Sequence, residues 1–122
     1  MRSERNIYET ASGRLLLAYL SEKELERLIQ KNGLPDTSIW EEAQTKEALI
    51  QELAKIKENG MAKTSPRNRH VKGFAVPIFA HNQVIAGLSV FVPEYRCSIA
   101  HENEIIQVMK GSAASISEKL NN

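Results

Sequence analysis

The sequence predicts an α/β domain in which an antiparallel sheet carries helices packed mainly on one face. Three observations lead there. Residues 10–60 hold their apolar side chains in blocks and helical stripes, residues 71–92 switch to β-branched and aromatic runs, and the segment from Ser98 or Ala100 onward returns to a helical period. Helices grouped before and after strands, rather than alternating with them, favour helices segregated against an antiparallel sheet.

The elements follow in order. Residues 10–20 carry Leu15, Leu16, Leu17 and Leu20, an apolar block suited to a buried helix. Ser21-Glu22-Lys23-Glu24 has the form of a capping box, in which the Ser hydroxyl takes one orphan amide and Glu24 reaches back to another. Leu25, Leu28 and Ile29 give that second helix its apolar face, and Asn32-Gly33 with Pro35 stops it. Residues 35–44 read as a connection with a helical turn around Trp40. Thr45 caps a third helix striped by Leu49, Leu53 and Ile56 and ended by Gly60. Residues 61–65 form a short strand and residues 66–70 a polar turn. Residues 71–79 and 84–92 pair as a hairpin, with Pro77 beside a sheet edge or bulge because it has no amide to give. The last helix places Ile105, Val108, Met109, Ile116 and Leu120 on one face.

The hairpin is asymmetric. Gly73, Ala75, Pro77, Gly87, Ser89 and Phe91 share one face, and Phe74, Val76, Ile78, Val84, Ala86, Leu88, Val90 and Val92 share the other, provided that the loop holds three residues. A two-residue loop would instead set Phe74 opposite Ser89. In the first register the bulky face makes a core under the helices and the small face leaves volume. That volume either lets a helix approach closely or receives a ligand.

Length and composition bound the function. A chain of 122 residues with 42% hydrophobic and 25% charged residues is one globular unit, here residues 1–122. Sixteen basic and fifteen acidic residues leave a net charge of +1, which argues against a chain-wide nucleic-acid footprint. The apolar runs 15–20 and 74–80 are far shorter than the ~20 residues that span a bilayer, so no membrane partner is expected. A lone Cys97 excludes an internal disulfide and fits a reducing cytoplasm.

No catalytic constellation can be named. There is no Gly-x-Ser-x-Gly elbow and no Gly-rich phosphate loop, and His70, His81 and His101 lack zinc-ligand spacing. Cys97 and His101, four apart, make half a metal site at most, against a solvated helix start. The basic run 63–72 is either a landing place for an anion or a solvated loop. Thr10-Ala11-Ser12-Gly13 exposes small-residue amides that either hold a carboxylate or are capped by their own hydroxyls. No enzyme, metal or cofactor is therefore expected.

Taken in order, these pieces resemble the C-terminal effector-binding domain of the IclR family of bacterial transcriptional regulators. Tyr8-Glu9-Thr10-Ala11-Ser12-Gly13-Arg14-Leu15-Leu16-Leu17-Ala18 is similar to the family's His-x-Thr/Ala-x-x-Gly-Lys-x-x-Leu-Ala. Residues 49–62 resemble its Leu-x-x-Glu-Leu-x-x-Ile-Arg-x-x-Gly-Tyr-Ala, residues 73–79 its Ala-x-Pro-Val-Phe strand, and residues 86–93 its Ala-x-Ser-Val-Ser-Gly-Pro. Arg96 and the helix end at 113–120 fall in register too.

The resemblance implies a GAF-like fold and a non-catalytic sensor in a dimer or tetramer. It implies a small effector such as an organic acid, and operator binding by a separate N-terminal winged helix-turn-helix. It also implies a fragment that starts after the family domain's opening strands, leaving the 84–92 strand with a free edge for self-association. Carried over one by one, the helix-start amides fall at Ala11 and Ser12, and a family aspartate falls near Thr64. A small residue becomes Gly73, the first serine of Ser-x-Ser stays as Ser89, and the second becomes Phe91. Fewer polar anchors and one added ring imply a more hydrophobic effector. The alternative is a dimerisation or protein-interaction module that has lost its ligand.

Overall fold

Each helix begins where a hydroxyl can take an amide. Thr10, Ser21, Thr45 and Ser98 are the four N-caps, each accepting from the N–H three residues on, and Ser21 with Glu24 completes the reciprocal capping box. The computed structural model describes residues 7–65 and 70–121, and the architecture is that of those residues. Helices α1 (Ala11–Ala18), α2 (Glu22–Asn32) and α3 (Lys46–Asn59) precede strands β1 (Ala62–Thr64), β2 (Val71–Ala80) and β3 (Gln83–Pro93). A 3₁₀ turn over Glu94–Arg96 leads to the long helix α4 (Ile99–Leu120). The fold is thus α+β, with a three-stranded antiparallel sheet in the order β1-β2-β3. Gly33 and Gly60 end α2 and α3 at positive φ, where a side chain would be strained. The polar turn expected at 66–70 lies outside the described residues, except for His70.

The hairpin corrects the expected loop. His81 and Asn82 alone form it, both at positive φ, as a tight turn that follows the strand twist requires. A bulge then restores the register that a three-residue loop would have given: Ile78 faces Ala86 while Phe79 faces Val84, leaving Ile85 as the extra residue. Gly73 thus opposes Phe91 and Phe74 opposes Val90, so the small and bulky sets stand as expected, except that the bulge moves Val84 to the small side with Phe79. Pro77 sits where the pairing of β1 has already ended, at Ala62↔Ala75. Further along that free edge the Phe79 N–H donates to Ser117 Oγ at 2.9 Å and the His81 N–H to Asn121 Oδ1 at 2.8 Å, so α4 covers edge donors that β1 does not reach.

Helices lie mainly on one side of the sheet, but it is not the bulky side. Only α4 covers the bulky face, where Phe74 and Val76 are buried with Ile106, Met109, Ala113 and Cys97. The small face receives α1, whose Ala11 and Leu15 pack on Ala62 and Ala75. Behind α1 a second cluster joins Leu17, Trp40, Leu49 and Leu53, with Leu25, Leu28 and Ile29 of α2 partly buried against it. The buried stripe of α4 is also rotated from the expected one. It runs Glu102, Ile106, Met109, Ala113, whereas Val108, Ile116 and Leu120 are exposed.

Candidate functional site

Beneath the start of α1 the sheet presents three short side-chain rows. Pro77 and Gly87 form one, Ala62, Ala75 and Ser89 the next, and Thr64, Gly73 and Phe91 the last. Helix α1 fills the first two. A Cβ placed on Gly87 would stand 3.2 Å from Leu15 Cδ2 and 3.8 Å from Ser12 Cβ, so the close-approach reading of the small face holds at this row.

The filler runs out at the third row. Helix α1 starts at Ala11, whose side chain packs with Leu15 on the row of Ala62 and Ala75, and no residue of the third row belongs to that cluster. Thr10 Oγ1 takes the Gly13 N–H at 3.0 Å, and the amides of Ala11 and Ser12 belong to the first turn, which has no intrahelical acceptors. Thr64 is 4% exposed, and its Oγ1 is buried without a hydrogen-bond partner. Leaving a buried hydroxyl unpaired costs roughly 1–3 kcal/mol, which marks this atom as one that a bound polar group would satisfy. Gly73 is required by close packing: a Cβ there would lie 2.9 Å from Thr64 Oγ1 and 3.1 Å from the Phe91 ring. The Phe91 ring therefore leans over Gly73 while staying 60% exposed, and Ser89 is exposed on the same strand. Of the six sequence-predicted residues, Thr64, Gly73 and Phe91 form one contacting row. Ala11 packs on the neighbouring row of Ala62 and Ala75, Ser12 lies toward the Gly87 row, and Ser89 is exposed on β3.

The helix start is held from behind by residues that the sequence reading did not single out. Arg14 is buried, stacks 4.0 Å over the Trp40 ring, and donates from Nε to the Tyr8 carbonyl at 2.7 Å and from Nη2 to the Ile39 carbonyl at 2.8 Å. Burial pulls its guanidinium down to about 10, with Glu42 and Glu52 opposing. Gly13 is required beside it, because a Cβ there would run into the Ile7 carbonyl oxygen. The apolar neighbours of Arg14 gave no sequence signal for a buried cation. Its pairing with Trp40 across 26 positions is visible only once the connection folds back.

The other candidates separate. Cys97 precedes α4 and is buried in the bulky-face core, whereas His101 is exposed in the first turn, so they make no pair. Among the described residues no group of His, Cys, Asp or Glu could hold a metal, and no helix is long and apolar enough to cross a membrane. The basic run is split. Residues 66–69 lie outside the described residues, while Lys63 and Lys72 point to the α4 face, away from Thr64, and pair with Glu102. Two grooves lie elsewhere, one of about 420 Å³ among α1, α2 and α3 and one of about 590 Å³ beside Pro77, Phe79 and Ser117. Neither contains a buried unpaired polar atom.

Comparison with known proteins agrees with this fold. Residues 3–118 match the family described as bacterial transcriptional regulator IclR, C-terminal. The chain is 26% identical over 116 residues to the HTH-type transcriptional regulator KdgR of Dickeya chrysanthemi, covering 93% of this chain and 38% of that regulator. Its fold superposes with a TM-score of 0.80 on the C-terminal domain of the E. coli regulator KdgR, at 27% identity, covering 95% of this chain and 71% of that one. An IclR homologue from Microbacterium hydrocarbonoxydans, solved in complex with 4-hydroxybenzoate, matches at 25% identity and a TM-score of 0.76, covering 93% of this chain and 45% of that one. The chain thus spans less than half the length of the Dickeya regulator and of the Microbacterium homologue.

Proposed function

The chain belongs to the IclR family of bacterial transcriptional regulators, through their C-terminal domain, and from this we propose that it is a ligand-sensing domain whose effector is a small organic acid or amphiphile. The relatives are regulators of transcription and not enzymes. The observation that carries the reading is the buried, unpartnered hydroxyl of Thr64 in the row below the start of α1. The acid's charged end would sit at the Ala11 and Ser12 amides, a position worth about 0.3–1 kcal/mol to an anion, or up to about 2 when partly buried. Thr64 and Ser89 would each add a hydrogen bond. Phe91, whose ring packs over Gly73 and stays 60% exposed, would pack on the ligand's apolar part. The 4-hydroxybenzoate held by the Microbacterium homologue is an acid of this kind. Binding would be coupled to operator DNA through a winged helix-turn-helix preceding this domain, in a cytoplasmic homo-oligomer.

A second reading, a dimerisation module without ligand, is favoured by one observation: α1 already fills the Gly87 row. Titration of the chain with small carboxylic acids, 4-hydroxybenzoate among them, separates the two. Sensing requires the Ala11, Ser12 and Gly73 amide resonances to shift together, with Ser89→Ala weakening the acid about ten- to a hundredfold. Phe91→Ser should change selectivity more than stability. If no acid moves these amides and the chain self-associates at tens of micromolar, the module reading stands instead.

A further inference from the structure

Behind the candidate site, on the other side of the same strands, lies a charge cluster that the apolar core does not explain. Lys63 and Lys72 immediately precede Thr64 and Gly73, so the alternation of a strand turns them to the α4 face. There they meet Glu102 in the first turn of α4, which is only 8% exposed. Lys63 Nζ donates to Oε1 at 2.8 Å and Lys72 Nζ to Oε2 at 3.2 Å, so each carboxylate oxygen holds a different strand.

This arrangement is expensive for a fold that needs only a core there. Glu102 is the buried member, its side chain 11% exposed against 20% for Lys72 and 43% for Lys63. Desolvating its carboxylate offsets part of the Coulomb gain, and the best-attested use of such a buried charge is to fix one register or orientation. Little else on this face fixes register at this corner. Strand β1 is three residues long and Thr64↔Gly73 is its last pair, while two ammonium groups on one face repel each other.

We infer that Glu102 is a positioning residue for the ligand site: by holding Lys63 on β1 and Lys72 on β2 at once, it sets the Thr64–Gly73 pairing on the opposite face. The floor of the site and the start of α4 then move as one body. The inference rests on the site reading above, and its test is chosen so that the two can fail separately.

In the 122-residue chain, Glu102→Gln keeps the shape of the side chain and removes its charge. Amide exchange of residues 62–64 and 73–75 should quicken about tenfold, while Leu49 and Leu53 in α3 stay unchanged. Lys63→Gln, at a side chain 43% exposed and therefore safe for folding, should move the same amides in the same direction by about threefold. With 4-hydroxybenzoate as the probe, Glu102→Gln should weaken binding. Coulomb's law alone predicts the reverse, since neutralising an anion near two lysines should tighten the hold on an acid. Unchanged exchange at 62–64 and 73–75, acceleration that extends equally to α3, or tighter binding with normal exchange would each overturn the inference. A wild-type chain that ignores 4-hydroxybenzoate counts against that acid as effector, and the exchange result then decides the role of Glu102 alone.

Discussion

On the face beneath α4 the sheet supplies its own bulk, with Phe74 and Val76 almost fully buried and α4 adding Ile106, Met109 and Ala113 around them. On the face beneath α1 the sheet supplies almost none, with Ala62, Ala75 and Gly87 in the corresponding rows, and the bulk comes from Leu15 of the helix. The difference decides where space can remain. A face filled from the sheet is filled along its whole length, whereas a face filled from a helix is filled only as far as that helix extends. Ala11 and Leu15 of α1 pack on the row of Ala62 and Ala75, and the next row holds the unpaired Thr64 hydroxyl, Gly73 and the Phe91 ring. Both faces are buried, but only the α1 face carries the candidate chemistry.

The largest expected effect falls on the closed face. Phe74→Ala should cost about 3–5 kcal/mol in denaturant unfolding, because α4 cannot collapse into the cavity without losing its hold on the hairpin tip. A cost under ~1 kcal/mol would show that the bulky face is not the core. On the other face Gly87→Val should be milder, about 1–3 kcal/mol, since the added carbons must displace Leu15. It should also shift the α1 amide resonances, and a change confined to the hairpin would argue against close seating of α1.

A smaller effect is set by pH. The Lys63 hydrogen bond, helped by that of Lys72, holds the Glu102 carboxyl below its ordinary value of 4.5, although burial pushes the other way. Among the described residues Glu94 also lies near Lys72. A folded value below the unfolded one contributes stability that is present above pH 4.5 and lost as pH falls through the depressed value. Acid titration should therefore destabilise the wild type more steeply than Glu102→Gln below that pH. Equal slopes would show that the ion cluster contributes nothing to stability.

Much of this architecture was legible in the sequence because local chemistry settled it. The Ser21–Glu24 box, the Thr45 cap and the glycines after α2 and α3 act within a few residues and stand where they were expected, while Thr10 and Ser98, left open by the sequence, prove to be caps as well. The two faces of the hairpin were legible from alternation, but the loop length was not. A two-residue turn plus a bulge at Ile85 gives nearly the same pairing as a three-residue loop, and side-chain alternation cannot distinguish them. The face of α4 was misread because Glu102 and Ala113 are buried there while the larger Val108 and Ile116 are not, and apolar counting cannot see a carboxylate buried by lysines from two strands. Within the site, Thr64, Gly73 and Phe91 came together from motif order. That Thr64 would be orphaned, and that Arg14 on Trp40 would hold the helix start, depended on contacts far apart in the chain.

The central claim, that the α1 face holds a ligand where the helix begins, is tested most directly at Thr64. Thr64→Val keeps the side-chain shape and removes the buried hydroxyl, and the measurement is paired: unfolding free energy, and affinity for the tightest binder in a panel of small carboxylic acids. Opposite signs are expected. Stability should hold or rise, by at most the roughly 1–3 kcal/mol that an unpaired buried hydroxyl costs, while affinity falls about tenfold or more. A variant that loses stability and binds the acid as tightly as the wild type would show that the hydroxyl serves the fold and that the ligand, if any, sits elsewhere.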